Sequence, residues 1–127
     1  MFETVLFPVD ASRQAMVTAT KVLQFVQNHD SRLIVLAVVD PDAAAPNNHD
    51  SFLSLLDKVR GHFQQGGVSC DAIERTGKPA FVICDVADEL NVDLIVMGTR
   101  GENLEGDSES TAARVIQLAP CPVLVVP

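Results

Sequence analysis

Tryptophan and tyrosine are missing from this chain of 127 residues, and its aromatic content is six phenylalanines. An interior built from it must be mainly aliphatic, and a hydrophobic content of 47% supplies one. Positive charge is also scarce: nine Lys and Arg face 17 Asp and Glu, for a formal net charge of -8. With no long Lys/Arg run, the chain lacks the clustered cations that hold a nucleic-acid backbone or an anionic membrane surface. Neither is expected as a partner. Cysteine is limited to Cys70, Cys84 and Cys121, far apart and without a CxxC pair. His29, His49 and His62 show no ligand spacing with them, so reduced, mostly buried thiols are expected and no metal site. Met1 runs directly into Glu3 and a strand rather than into a basic, then apolar, leader. No apolar run approaches the roughly 20 residues that span a bilayer. These absences predict a cytoplasmic protein of one domain, residues 1–127.

What is present is an alternation of short apolar runs with amphipathic stretches. Thr4 to Val9 reads as a strand buried on both faces, and Ser12 as the N-cap of a helix whose apolar face is Ala15, Met16, Ala19, Val22, Leu23 and Val26. That helix fades at Asn28-His29-Asp30, and Leu33 to Val39 is a second fully buried strand. Asp40 to His49 is a polar, Pro-containing loop. Phe52, Leu55, Leu56, Val59 and Phe63 mark a second helix, closed by Gly66-Gly67, and Val68 to Thr76 alternates as an edge strand does. Pro79 opens a third helix with Val82, Ile83, Val86, Ala87 and Leu90 on its buried face. Leu94 to Met97, a helix from about Glu109 to Leu118, and Val123 to Val126 complete the order. Strands alternating with helices predict an α/β fold with right-handed crossovers and a parallel sheet, doubly wound, with helices on both faces. Neither an internal repeat nor a linker interrupts it.

In such sheets, ligands bind beyond the carboxyl ends of the strands where strand order reverses. The first and fourth strands are the expected neighbours there. That places Pro8, Val9 and Asp10 beside the loop that starts at Gly98, with Asp10 as a hydrogen-bond acceptor or a helix cap. Val38 and Met97 would wall the crevice with apolar surface. Gly98-Thr99-Arg100-Gly101 leaves a strand before a helix, so its amides can point at an anion and Arg100 can offer a fork to phosphate.

Three segments together resemble the universal stress protein family: Pro8-Val9-Asp10-x-Ser12, Val92-Asp93-Leu94-Ile95-Val96-Met97-Gly98-Thr99-Arg100-Gly101, and Ala119-Pro120-Cys121-Pro122-Val123-Leu124-Val125-Val126. The resemblance covers the whole chain. It implies a Rossmann-like, five-stranded parallel sheet in the order 3-2-1-4-5 with four helices, and a homodimer formed through the final strand, Val123, Leu124, Val125 and Val126. An unpaired edge of bare Val and Leu is an aggregation liability, which independently favours an oligomer. Members that bind ATP resemble Gly-x-x-Gly, nine residues, then Gly-Ser or Gly-Thr. Asp10, Val38, Met97, Gly98, Arg100 and Gly101 match that pattern. Glu109-Ser110 stands where Gly-Ser should be, and seven residues rather than nine separate Gly101 from Glu109, leaving Ser110 to offer a hydroxyl.

Charge sharpens this departure. Glu102, Glu105, Asp107 and Glu109 line the loop with Arg100 as its cation and Arg114 a turn or so beyond. Two unit charges at about 4 Å and an effective dielectric near 20 interact by roughly 4 kcal/mol, so these acids oppose a triphosphate. Mg2+ bridging carboxylates and phosphates, or a ligand with fewer phosphates, would relieve the repulsion. No cofactor follows from the residues alone; the resemblance allows an adenine nucleotide with Mg2+. No nucleophile–base pair stands near Asp10 or Gly98. The leading expectation is a non-catalytic stress-response or regulatory homodimer that acts through a protein partner and carries a degenerate nucleotide site. One alternative is an adenine-nucleotide sensor for ATP, AMP or a cyclic dinucleotide. The other is a slow metal-dependent nucleotide hydrolase using Asp10 or a loop carboxylate.

Overall fold

The computed structural model describes residues 2–9, 15–42, 49–98 and 111–127, with the backbone alone at 49–52. The chain runs β1 (Thr4–Val9), α1 (Ala15–His29), β2 (Arg32–Val39), α2 (His49–Gln65), β3 (Cys70–Thr76), α3 (Pro79–Glu89), β4 (Leu94–Gly98), α4 (Thr111–Leu118) and β5 (Val123–Val126). All five strands are parallel in the order β3-β2-β1-β4-β5, as the resemblance implies. The expected cap Ser12 and residues 43–48 of the polar loop lie outside the described residues.

Period-two alternation divides the interior between the two faces of the sheet. Val5, Phe7 and Val9 of β1 join Leu33, Val35 and Ala37 of β2 and Leu94 and Val96 of β4 against α1 and α2. Leu6, Ile34, Leu36, Ile95 and Met97 point the other way, against Ala80, Ile83, Cys84, Val86 and Ala87 of α3 and Ala112 and Val115 of α4. Phe7 meets Phe63 edge to face, with ring centroids 6.2 Å apart.

Several element ends differ from the sequence expectation for local reasons. β3 starts at Cys70 rather than Val68, because the Val68 N–H donates to Phe63 O (2.9 Å) and is used in closing α2. Gly67 takes φ 81 in that turn, the left-handed conformation suited to glycine. α2 starts at His49, so this histidine opens a helix rather than sitting in a loop. Leu90 was expected on the buried face of α3 but is 37% exposed. It is the C-cap (φ -99, ψ 9), where the chain has left helical phase, while Ala80 and Cys84 fill the face instead.

The thiols are less buried than expected. Cys84 is buried, whereas Cys70 and Cys121 are half-buried and all three are free. Cys121 leads into β5, a half-exposed edge strand flanked in the sheet by β4 alone. Each thiol is held above its ordinary value of 9.0, mainly by burial. Arg60 partly offsets this at Cys70, as does the Ile95 N–H at Cys121. A raised thiol contributes stability that is intact below pH 9.0 and is lost as pH climbs through that value, because the unfolded chain releases the proton first. Thermal midpoints are therefore expected to fall above pH 9.0, with a shallower slope in Cys84→Ala; equal slopes would mean the thiol does not contribute.

Glycines separate the constrained turns from the open ones. Gly77 has φ 149 and a Cβ there would sit 2.7 Å from Val82 Cγ2, while its N–H donates to Val39 O (2.9 Å). Gly61 lies inside α2 with nothing within 4 Å of a Cβ. Gly77→Ala is expected to cost about 2 kcal/mol in urea unfolding, and Gly61→Ala to add about 0.5–1 kcal/mol.

Candidate functional site

Of the residues singled out from the sequence for the crevice, the described ones (Pro8, Val9, Val38, Met97 and Gly98) fall at the carboxyl end of the sheet. Pro8, Val38 and Met97 belong to the parity that faces α3 and α4, continuing the rows Leu6–Pro8, Leu36–Val38 and Ile95–Met97. Met97 is buried, and Pro8 and Val38 are half-buried. Val38, like Ile73 and Val82, packs against that core. Val9 faces the other way, into the core beneath α1 and α2, so it is a packing residue and does not join this apolar shelf. Asp10, Arg100, Gly101 and Ser110 lie outside the described residues, as do Glu102, Glu105, Asp107 and Glu109.

Backbone hydrogen bonds fix which way each residue of β1 turns. Glu3 O accepts from Arg32 N of β2 (2.7 Å). Thr4 turns toward β4: its O accepts from Asp93 N (2.9 Å), and its N–H donates to Asp93 Oδ2 (2.9 Å). Asp93 thereby pins the start of β4 to β1. Alternate residues of a parallel strand present their backbone groups to opposite neighbours. Thr4, Leu6 and Pro8 therefore address β4, while Val5, Phe7 and Val9 address β2. Pairing of β1 with β2 runs to Val9–Ala37, but with β4 it ends at Leu6–Ile95.

Gly98 closes the other side of this seam. It pairs with Val126 of β5. A Cβ on it would lie 3.1 Å from Thr18 Oγ1 and 3.8 Å from Val126 O, so α1 approaches the strand end closely and a side chain would force Thr18 to give way. Thr18 was not foreseen; it sits on a helix among small residues with no pattern that marks a contact. Also unforeseen is an ion pair beside the shelf. Lys78 Nζ, at the N-cap of α3, reaches Asp42 Oδ2 (3.2 Å) and Asp40 Oδ1 (3.8 Å) at the end of β2.

The histidines sit elsewhere. The His29 ring stacks on Phe25 at 4.2 Å, with Nδ1 2.9 Å from Phe25 O, and His62 Nε2 lies 3.4 Å from Thr20 Oγ1. Among the described residues no group of three or more His, Cys, Asp or Glu is placed to hold a metal ion. No described helix is long and apolar enough to cross a membrane.

Comparison with known proteins places this arrangement. The model of the universal stress protein family matches residues 1–127. A universal stress protein of Synechocystis sp. is 48% identical over 136 residues, covering 100% of this chain and 87% of that protein. A universal stress protein family structure from Arabidopsis thaliana with AMP bound superposes with a TM-score of 0.78 at 24% identity, covering 98% of this chain and 90% of that one. The Archaeoglobus fulgidus universal stress protein in complex with dAMP gives 0.76 at 19% identity, covering 100% and 98%. With its three sequence segments, its strand order and these matches in agreement, the chain belongs to the universal stress protein family.

Proposed function

We propose that this chain is a single-domain, non-catalytic regulatory protein that binds an adenine nucleoside monophosphate at the carboxyl end of its sheet and works as a homodimer. The observation that carries the ligand reading is the apolar shelf of Pro8, Val38 and Met97 at the switch point, the place where open α/β sheets take their ligands. Relatives of the same fold hold AMP and dAMP, both with one phosphate. The four carboxylates between residues 102 and 109 make the same distinction, since repulsion grows with each added phosphate. In this reading Asp10 accepts a hydrogen bond from the nucleoside, and Gly98, Arg100, Gly101 and Ser110 attend the phosphate. Mg2+ is needed only for ligands with longer phosphate chains. A protein partner then reads the occupied state.

Thermal midpoints measured against AMP, ADP and ATP, each with and without Mg2+, test this. AMP at 100 times its dissociation constant should add about 2.7 kcal/mol of stability, or about 10 °C for a domain of this size, without metal. ATP should need Mg2+ to approach the same shift. No shift with any of them at millimolar concentration would overturn the ligand reading and leave protein partners as the function of this fold.

The homodimer reading rests on the two sheet edges. β3 carries Asp71, Glu74 and Arg75, and charges on an edge strand discourage pairing with another chain. β5 carries none: Leu124 is exposed on it, and Ile116 and Leu118 of α4 are exposed nearby. Leu124→Glu in every copy would set like charges against each other across a β5–β5 seam. Sedimentation should give a dimer for the natural sequence and a monomer of unchanged fold for Leu124→Glu. A variant that still dimerises would move the interface elsewhere.

A further inference from the structure

We infer that Pro8 is a positioning residue for the crevice: by withholding one backbone donor it leaves the seam between β1 and β4 unlocked where the ligand enters. This rests on the adenine-nucleotide reading above, but its starting point is the backbone. The strand parity set by Thr4 and Asp93 turns residue 8 toward β4. Leu6 is the last residue of β1 paired across that seam, with Ile95. The next donor in line belongs to position 8, and proline has no N–H. A proline inside a central parallel strand normally forfeits a ladder bond, and so is placed there only where the loss is tolerated or useful.

The neighbouring seams are locked over the same stretch. β1 stays paired with β2 through Val9–Ala37, and β4 with β5 through Gly98–Val126. A Cβ at Gly98 would lie 3.1 Å from Thr18 Oγ1, so α1 packs closely over this end of β4. Neither β1 nor β4 can therefore shift freely toward its outer neighbour, and adjustment at the carboxyl end of the sheet falls on the β1–β4 seam. Met97 flanks this seam on β4, and Val38 stands on the opposite flank of β1. A residue with an N–H at position 8 would extend the ladder by one bond toward β4. A ligand that spreads the seam would then have to break that bond.

Pro8→Ala tests the idea with two readouts: AMP affinity by titration calorimetry, and exchange of the new amide at position 8 by NMR. One net hydrogen bond to be broken predicts AMP binding weaker by about three- to tenfold, with the new amide protected in the free protein and thermal stability not lowered. Unchanged affinity would overturn the inference. Weaker binding with a freely exchanging amide would also overturn it, because the loss would then come only from the ring's place on the apolar shelf and not from the seam. If the natural protein binds no AMP while the amide of Pro8→Ala is protected, the nucleotide reading fails and takes the positioning role with it, and the lock remains as a property of the sheet alone.

Discussion

Two interiors hang on one strand. β1 sits in the middle of the sheet, and its alternate residues feed opposite cores: Val5, Phe7 and Val9 on the α1/α2 side, Leu6 on the α3/α4 side. Val5 and Leu6 are 0% exposed. Full burial of such a side chain is worth about 1.5–3 kcal/mol, so a run of a few residues accounts for a stabilisation comparable to the net stability of a whole domain. A slip of one residue would exchange the two faces and put Leu6 among partners shaped for Phe7. The neighbours of β1 inherit their register from it, on one side by pairing along its whole length and on the other by the Thr4–Asp93 exchange at its start.

This explains why so much of the fold was legible in the sequence. A strand buried on both faces shows as an unbroken apolar run, and β1 occupies the stretch expected of it, as does the half-exposed edge strand β5. The helices announced their inner faces through three- and four-residue spacing. What the pattern missed were positions where the chain leaves its period. Leu90 is apolar and correctly spaced, yet it lies one residue past the last helical turn and swings outward. Val68 alternates correctly with β3, yet its amide closes the preceding helix. Periodicity records which side chains are apolar; it does not record where a backbone donor has already been used.

The candidate site was legible to a different depth. Topology points to the carboxyl end of the sheet, and the described candidates Pro8, Val9, Val38, Met97 and Gly98 lie at that end. Parity then divides them: Pro8, Val38 and Met97 share a face, whereas Val9 belongs to the opposite core. That division was available in principle from period-two alternation, since Val9 follows Val5 and Phe7. The approach of Thr18 to Gly98 was not, because it depends on how closely α1 packs on β4.

The segments that identify the family therefore answer two demands at once. Asp93 ties β4 to β1 through its carboxylate, and Gly98 admits α1 where a Cβ would crowd Thr18. Both serve the fold whether or not a nucleotide ever bound. A member could lose its ligand and still keep Val92-Asp93-Leu94 and the glycine that ends β4, because Asp93 accepts from the Thr4 N–H and a side chain at position 98 would press on Thr18. The discriminating chemistry lies where the fold makes no such demand. Pro8 gives up a ladder bond at the central seam, which no packing argument requires and a ligand crevice would reward. In the proposed reading, the carboxylates between Gly101 and Ser110 would oppose three phosphates more than one. If this member binds a nucleotide, those two features, one inside a family segment and one in the loop that departs from the family pattern, are the ones that packing alone does not account for.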